Sequence, residues 1–394
     1  MKIGIDASRA FLKKRTGIEE YSYQVIKNLR EKLKDAEVVL YIRPGEINSG
    51  INNFKIPKNW KIKKIRWVRF WTQIGLSLEM LLHPVDVLFI PAHTVPLIHP
   101  SQVGVGKLLK FFYGKDREFK TVVTIHGLEY EFLPEAYSFW ERFYMRLIIR
   151  KSCRSAENII SVSFNTKNDL IELYKIPENK IEVIYEGCSF YENQVKNKIV
   201  NHTANEDVLE KYQLKNVKYL LFLGRIEERK NILGIVKAFD ILKRKYLIPH
   251  KLVLAGGFGY QYSRIVKYIQ GNEFKDDIYL TGYIDEANKR EILKNADTFL
   301  FPTLYEGFGL PIIEAQSLGV PIVASKNSSI PEIIGDEGLS SLVDPNNPEE
   351  IAKAVFNVLS DKGIREDLVN PGFENAKRFS WDRCAEGVAK VLLN

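Results

Sequence analysis

"FPTLYEGFGLPIIEAQSLGVPIVAS", residues 301–325, contains a strand pattern, a glycine turn, a helix pattern and a second strand pattern. The apolar, β-prone run at 297–303 predicts a buried strand, and helical spacing over 311–319 stops at Gly319. Pro311 is expected at the first helical position, where the missing N–H costs nothing. This order of elements is typical of a parallel α/β layer.

The turn between this strand and this helix has the features of an anion site. Its two glycines let the backbone pass close to a ligand, and the N–H groups of Phe308, Gly309 and Leu310 lie at the positive end of the helix. Glu306 before the turn and Glu314, expected in the first helical turn, should line the same edge of a crevice. The alternative is that Glu314 only complements the helix dipole and that Glu306 is solvated.

The same alternation of strands and amphipathic helices extends along the whole chain and indicates parallel α/β layers. It is interrupted by polar, unpatterned residues at 191–206, which are typical of a linker. We therefore predict domains at 1–190 and 207–379 with a cleft between them, and a helix at 380–394 that braces the first domain. The predicted strands are 2–6, 37–42, 86–90, 121–125, 158–162 and 181–185, then 219–224, 251–257, 278–282, 298–303, 321–325 and 340–344.

Composition limits the class of protein. The chain has 394 residues, a net charge of +8 and a pI near 9.0, which favours acidic partners such as phosphorylated small molecules. Three widely spaced cysteines form neither a disulfide framework nor a zinc motif, and a reducing cytoplasm fits them best. The start of the chain resembles a strand rather than a secretory signal, and no apolar run reaches the ~18 residues of a spanning helix.

Part of the positive charge is concentrated in residues 55–71, which hold seven Lys/Arg, no acid and three tryptophans. Basic residues beside interfacial aromatics are attracted to an anionic membrane surface. A strand with one buried face and one basic, solvated face explains the pattern equally, and no nucleic-acid module accompanies it. Residues 106–120, a second basic and aromatic piece, either extend that surface or form a loop insertion.

Four further positions are candidates for chemistry at the carboxyl ends of strands. Arg225 and Lys230 follow a predicted strand, and a guanidinium and an ammonium together suit a diphosphate. Gly17 at a helix start would let the backbone approach a phosphate, and His126 ends another predicted strand. The alternatives are a solvated helix start, an ordinary helix entry and a structural hydrogen-bonding histidine.

Several nucleotide-site motifs are missing from the sequence. There is no G-x-x-x-x-G-K-[ST], no D-x-D and no G-x-S-x-G, and residues 256–261 are only a fragment of a dinucleotide fingerprint. A phosphorylated ligand is therefore expected to be held by Arg, Lys and helix dipoles, with no metal and no cofactor.

Taken in order, these pieces resemble the family-four retaining glycosyltransferases, whose Glu-x7-Glu motif matches Glu306 and Glu314. The likeness covers nearly the whole chain and is closest to mannosyltransferase-type members. It implies the GT-B fold, two doubly wound Rossmann-like domains facing across a cleft. The likeness is carried by segments 3–21, 124–135, 160–187, 223–231 and 280–285, together with the Glu-x7-Glu motif. One departure is the single Gly17 where many members carry two glycines; another is the length of 106–120.

The resemblance also implies roles for named residues. Glu306 and His126 would be catalytic and contact the sugar, and Glu314 would bind the ribose. Tyr283 and Ile284 would contact the base. The donor diphosphate would be bound by Arg225, Lys230, Gly17, Phe308, Gly309 and Leu310.

The implied function is metal-independent, retaining transfer of a hexose, with mannose preferred, from a GDP- or UDP-sugar to a glycan or lipid-linked acceptor. The process would be cell-surface polysaccharide synthesis in the cytoplasm, with peripheral membrane contact and no nucleic acid. The alternatives are a GT-B sugar-nucleotide epimerase, a small-acceptor synthase, and a catalytically silent scaffold subunit.

Overall fold

The computed structural model describes residues 1–44, 51, 54–67, 70–96, 98, 119–190 and 206–394. Except for Glu206, the predicted linker lies outside the described residues. Residues 106–118 of the second basic piece also lie outside them.

Strands and helices alternate along the described chain. The strands are β1 Lys2–Asp6, β2 Glu37–Ile42, β3 Trp60–Lys64, β4 Val87–Ile90, β5 Lys120–Ile125, β6 Asn158–Ser161, β7 Ile181–Val183, β8 Tyr219–Leu223, β9 Lys251–Ala255, β10 Ile278–Gly282, β11 Thr298–Phe301, β12 Ile322–Ser325 and β13 Leu342–Val343. The helices are α1 Gly17–Lys32, α2 Ser77–Leu82, α3 Glu129–Phe132, α4 Phe139–Ser155, α5 Phe164–Tyr174, α6 Glu206–Lys211, α7 Ile232–Lys245, α8 Tyr262–Gln270, α9 Glu286–Lys294, α10 Leu310–Ser317, α11 Ile330–Ile334, α12 Pro348–Ser360, α13 Lys362–Ala376 and α14 Trp381–Leu393.

Contacts divide the chain into two compact units. The first contains residues 1–128, 140–187 and 381–394, and the second contains 129–139 and 188–380. The sequence places 129–139 inside the first domain, whereas their contacts group them with the second unit. Residues 188–190, also predicted in the first domain, belong to the second unit as well.

Each unit is built on one parallel sheet. Among the described residues, the first sheet has the order β3-β2-β1-β4-β5-β6-β7 and the second has the order β10-β9-β8-β11-β12-β13. All strand pairs in both sheets are parallel. In both sheets the strand order reverses direction once, between β1 and β4 and between β8 and β11, and open α/β sheets bind ligands outside the carboxyl ends at such a point.

All strands except β3, which is absent from the predicted set, form where the sequence predicts them, because a parallel sheet is covered on both faces and its strands are largely apolar. The five residues of β8 are all buried, as are the four of β11. Most boundaries agree with the predicted ones within about two residues. The last strand is shorter, because only Leu342 and Val343 pair with β12.

The C-terminal helix α14 packs on α1 within the first unit. Its Trp381 is buried, with its ring 6.1 Å from that of Tyr21. At the surface, the Nζ of Lys32 lies 3.0 Å from a carboxylate oxygen of Asp382. The last helix of the chain therefore completes the core of the unit that contains the first strand.

The basic-aromatic segment divides into buried and exposed parts. Trp60 begins β3 and is buried, and Trp71 is buried at the start of a short π-helical turn. Trp67 and Phe70 are 41% and 66% exposed. The strand interpretation thus explains Trp60, whereas Trp71 is buried outside the strand and Trp67 and Phe70 remain exposed beside basic residues. Among the described residues, no helix is long and apolar enough to cross a bilayer.

Candidate functional site

The reversal of strand order in the second unit brings together two loops that are distant in sequence. β8 and β11 are neighbours, and residues 224–230 follow one while residues 302–309 follow the other. Because both strands are parallel, the two loops leave the same edge of the sheet. Cations predicted in the first loop and Glu306 in the second are therefore candidates for direct contact.

Lys230 and Glu306 form a buried ion pair at this edge. The Lys230 Nζ donates to Oε1 of Glu306, and both side chains are about one-tenth exposed. The backbone N–H of Glu306 donates to the Ser328 Oγ at 3.0 Å, which fixes the peptide from which the carboxylate projects. A turn of 3₁₀ helix, Glu228–Lys230, positions the lysine.

Arg229 is a part of this cluster that the sequence analysis missed. Its Nε lies 2.6 Å from Oε1 of Glu227 in an ion pair, and its Nη1 lies 4.0 Å from Oε2 of Glu306. Burial opposes the charge of Arg229, but Glu306, Glu227 and Glu129 outweigh it and raise the pKa of the guanidinium. Burial, followed by the charge of Arg229, lowers the pKa of Lys230 against the attraction of Glu306. Two cations thus share the Glu306 carboxylate.

Residues 129–139 supply groups to the same cluster. The Phe132 ring stacks on Tyr305 with centroids 4.9 Å apart, next to Glu306 in sequence. The Tyr137 hydroxyl donates to Oε1 of Glu129 at 3.2 Å. Burial, followed by the charge of Glu129, raises the pKa of Tyr137. Residues 129–139, which follow His126 in sequence, therefore line the cluster around Glu306 and Arg229 in the second unit.

Arg225 differs in exposure from Lys230, the other cation predicted to bind a diphosphate. It follows Gly224 at the end of β8 and is exposed, whereas Lys230 is buried against Glu306. Of the two cations predicted for a diphosphate, the structure brings Lys230 to the predicted carboxylate and leaves Arg225 at the surface.

The turn before α10 has the conformation that its glycines allow, with two corrections to the prediction. Gly309 is the N-cap of α10 and has a φ of 116°, a region that favours glycine. The helix begins at Leu310, so Pro311 is the second helical residue, and Glu314 lies in the second turn rather than the first. Phe308 is buried, and its carbonyl accepts a hydrogen bond from the Ser329 Oγ at 2.7 Å.

The side chain of Glu314 on α10 is held by a lysine on another helix, α9. The Lys289 Nζ, on α9, donates to Oε1 of Glu314 at 2.6 Å and to Oε1 of Glu286 at 3.0 Å. The predicted base contacts Tyr283 and Ile284 lie between β10 and α9; Ile284 is buried and Tyr283 half-buried. Lys289 lies outside the segments that carry the family resemblance, and Arg229 lies inside segment 223–231 but was given no role from the sequence.

In the first unit, both ring nitrogens of His126 are engaged. Nε2 lies 2.9 Å from the Pro91 carbonyl, and Nδ1 lies 3.1 Å from Oε1 of Glu186. A carbonyl only accepts, so Nε2 carries a proton, and one further proton lies between Nδ1 and the carboxylate. The Tyr21 ring contacts the imidazole edge-on, with centroids 4.6 Å apart. A bond from His126 to a sugar hydroxyl therefore requires that it give up one of these partners.

Gly17 and His93 also belong to the first unit. Gly17 is the exposed first residue of α1, and a Cβ there would meet nothing within 4 Å. His93, not singled out from the sequence, is half-buried beside His126, with ring centroids 5.4 Å apart. Burial, followed by the charges of His126 and Arg9, lowers the pKa of His93.

Comparison with known proteins identifies the class. The sequence profile described as "Glycosyltransferase Family 4" matches residues 15–189, and "Glycosyl transferases group 1" matches residues 205–375. The chain is 32% identical to O-antigen chain mannosyltransferase B of Escherichia coli over 275 residues, which are 69% of this chain and 70% of that protein. It is 20% identical to O-antigen chain mannosyltransferase RfbU of Salmonella typhimurium, over 94% of this chain and 96% of the other.

Solved structures agree on the fold. Sucrose-phosphate synthase from Thermosynechococcus elongatus superposes with a TM-score of 0.74 at 17% identity, covering 99% of this chain and 98% of the other. Anabaena HepE, solved in complex with UDP-glucose, gives 0.73 at 17% identity, covering 100% and 99%. The protein is a glycosyltransferase with the GT-B fold. The chain belongs to glycosyltransferase family four, so the predicted family and its mannosyltransferase-like character are confirmed.

Proposed function

We propose that this glycosyltransferase moves a hexose, with mannose preferred, from a GDP- or UDP-sugar to a glycan or lipid-linked acceptor. We also propose that transfer retains configuration, needs no metal ion, and takes place in the cytoplasm during cell-surface polysaccharide synthesis. The observation that carries the proposal is the meeting of Lys230 and Glu306 at the reversal of strand order, just before the N-terminus of α10. The mannosyltransferase relatives support the choice of sugar and process.

The proposed chemistry breaks the bond between the anomeric carbon and the phosphate oxygen and forms one to the acceptor oxygen on the same face. The departing phosphate oxygen takes the acceptor proton. Lys230 and Arg225, with the amides of Phe308, Gly309 and Leu310, would stabilise the negative charge that develops on the diphosphate.

The other residues are assigned to the sugar and the nucleoside. Glu306 would hold sugar hydroxyls after Lys230 has moved to the diphosphate, and Glu314 would hold the ribose. Tyr283 and Ile284 would contact the base. In the first unit, Gly17 would approach the diphosphate, and His126 would act on the sugar.

A ligand panel tests the donor assignment. We expect one of GDP, UDP and ADP to raise the melting temperature and to bind in calorimetry, with the same affinity in EDTA. Its hexose conjugate should transfer sugar to a glycan acceptor, and NMR of the product should show the anomeric configuration of the donor. An altered nucleotide sugar formed without acceptor would identify an epimerase instead. Failure to bind any of the nucleotides would favour the scaffold alternative.

We further propose that the basic-aromatic segment 55–71 contacts an anionic membrane surface through Trp67 and Phe70. Both are exposed between basic residues, and an aromatic ring beside basic side chains favours the interface of an anionic bilayer. Vesicles with phosphatidylglycerol should co-sediment the protein at low salt and release it at high salt.

The control for this experiment is an exposed apolar residue elsewhere. The W67S/F70S double variant should lose vesicle binding, whereas Leu247→Ser, at a residue 80% exposed in the second unit, should keep it. Equal binding by all three proteins would show that Trp67 and Phe70 do not make the membrane contact. Co-sedimentation that ignores anionic lipid content and salt would leave only the strand interpretation of the segment.

A further inference from the structure

Lys289 occupies a site that the proposed mechanism does not use. Its ammonium contacts carboxylates from two different positions, Glu286 one turn earlier on α9 and Glu314 on α10. The Nζ also lies 5.3 Å from the centroid of the Phe190 ring, which is buried. The side chain of Lys289 is 14% exposed and that of Glu314 is 11% exposed. A lysine so enclosed has a defined position rather than a mobile surface one.

The charges in this cluster depend on one another. Burial opposes the ammonium, but Glu314 and then Glu286 outweigh it and raise the pKa of Lys289. Without the ammonium, the enclosed Glu314 carboxylate would lose its partner and lie near Glu286, whose side chain is 40% exposed. Glu286 is solvated and can turn away, whereas Glu314 would have to find another partner or another orientation. Lys289 therefore holds Glu314 in its present orientation.

The position of Lys289 in the chain links it to the base contacts as well. Asp285 is the N-cap of α9, and its side chain accepts from the Asn288 N–H at 2.9 Å. Tyr283 and Ile284 come directly before that cap. The lysine on the first turns of α9 thus ties the segment proposed to contact the base to the residue proposed to contact the ribose.

We infer that Lys289 is a positioning residue for nucleotide recognition: its bond to Oε1 holds the Glu314 carboxylate in the orientation that accepts the two ribose hydroxyls. This inference rests on the proposed nucleotide donor and on Glu314 as its ribose-binding residue. Lys289 itself contacts no substrate in this scheme. Its removal should therefore affect ligands with ribose hydroxyls more than ligands without them.

The test compares a nucleoside diphosphate with its 2′,3′-dideoxy analogue, using GDP or, if it binds more tightly, UDP. Calorimetry on the full chain should show that the wild type prefers the ribonucleotide about tenfold to hundredfold, the range for hydrogen bonds to a charged group. In Lys289→Met the preference should fall below about fourfold, mainly through weaker ribonucleotide binding. Lys294→Met removes an exposed lysine from the end of the same helix and should keep the wild-type preference.

The possible results distinguish a failure of the Lys289 inference from a failure of the ribose-binding role proposed for Glu314. A wild type that binds both nucleotides equally would overturn the ribose role of Glu314. A wild type that discriminates, with Lys289→Met weakening both ligands by one factor, would overturn the inference and leave Lys289 a structural residue. Circular dichroism and melting check that the variant folds; if it does not, Lys289→Gln serves as the second variant, and Lys289→Arg should restore most of the preference.

Discussion

Replacing Lys230 with Met should lower turnover about 10²- to 10³-fold, the usual effect of removing one group that stabilises a developing anion. Met keeps the length of the side chain but removes the ammonium that now bonds to Glu306. Binding of the nucleoside diphosphate should weaken about tenfold to hundredfold, since a charged hydrogen bond to phosphate is lost. Calorimetry and sugar transfer from the donor identified by the ligand panel measure the two effects.

The matched control is Lys237→Met, which removes an exposed lysine from α7 in the same unit. It should leave turnover and affinity at the wild-type level. If Lys230→Met bound the nucleotide as tightly as the control, Lys230 would be only the structural partner of Glu306. Arg225→Ala should show the smaller effect on affinity, because this residue is exposed and its bond to phosphate is better solvated.

The fold was largely predictable from sequence because its strongest signals are local. A fully buried parallel strand such as β8 is an uninterrupted apolar run, and the alternation with helices repeats in both halves of the chain. The start of α10 was predicted one residue late, because a proline is accepted at either of the first two helical positions and Leu310 has no feature that distinguishes it. That small shift placed Glu314 in the wrong helical turn.

The candidate site was less predictable because its partners come from different elements. Lys230 and Glu306 are 76 residues apart and meet only because β8 and β11 are neighbours. Arg229 was overlooked in favour of Arg225, since the sequence shows two equally good cations and only the 3₁₀ turn decides which one faces inward. Glu186 was given no role from the sequence and Lys289 lies outside the segments used there, so their roles follow only from the side chains that they contact.

The His126–Glu186 pair predicts a second large effect, on stability. Both side chains are less than one-tenth exposed, so Glu186→Ala leaves the imidazole with an unpaired, buried Nδ1. Removing one member of a buried ion pair costs about 3 to 5 kcal/mol. Glu186→Gln keeps an acceptor at this position but removes the charge, so it should cost about 1 to 2 kcal/mol. The order of stability should be wild type, Gln variant, Ala variant.

The tryptophans allow the stability of the first unit to be measured by fluorescence. All five, Trp60, Trp67, Trp71, Trp140 and Trp381, belong to the first unit, so their fluorescence during urea unfolding follows that unit. Glu182→Ala, at an exposed residue of β7, is the matched control and should unfold like the wild type. In ¹⁵N spectra of the side chains, the His126 ring should lose its hydrogen-bonded Nδ1 signal in the Ala variant. An Ala variant as stable as the control would show that His126 does not depend on Glu186 and that its imidazole is available to a ligand without the loss of a structural bond.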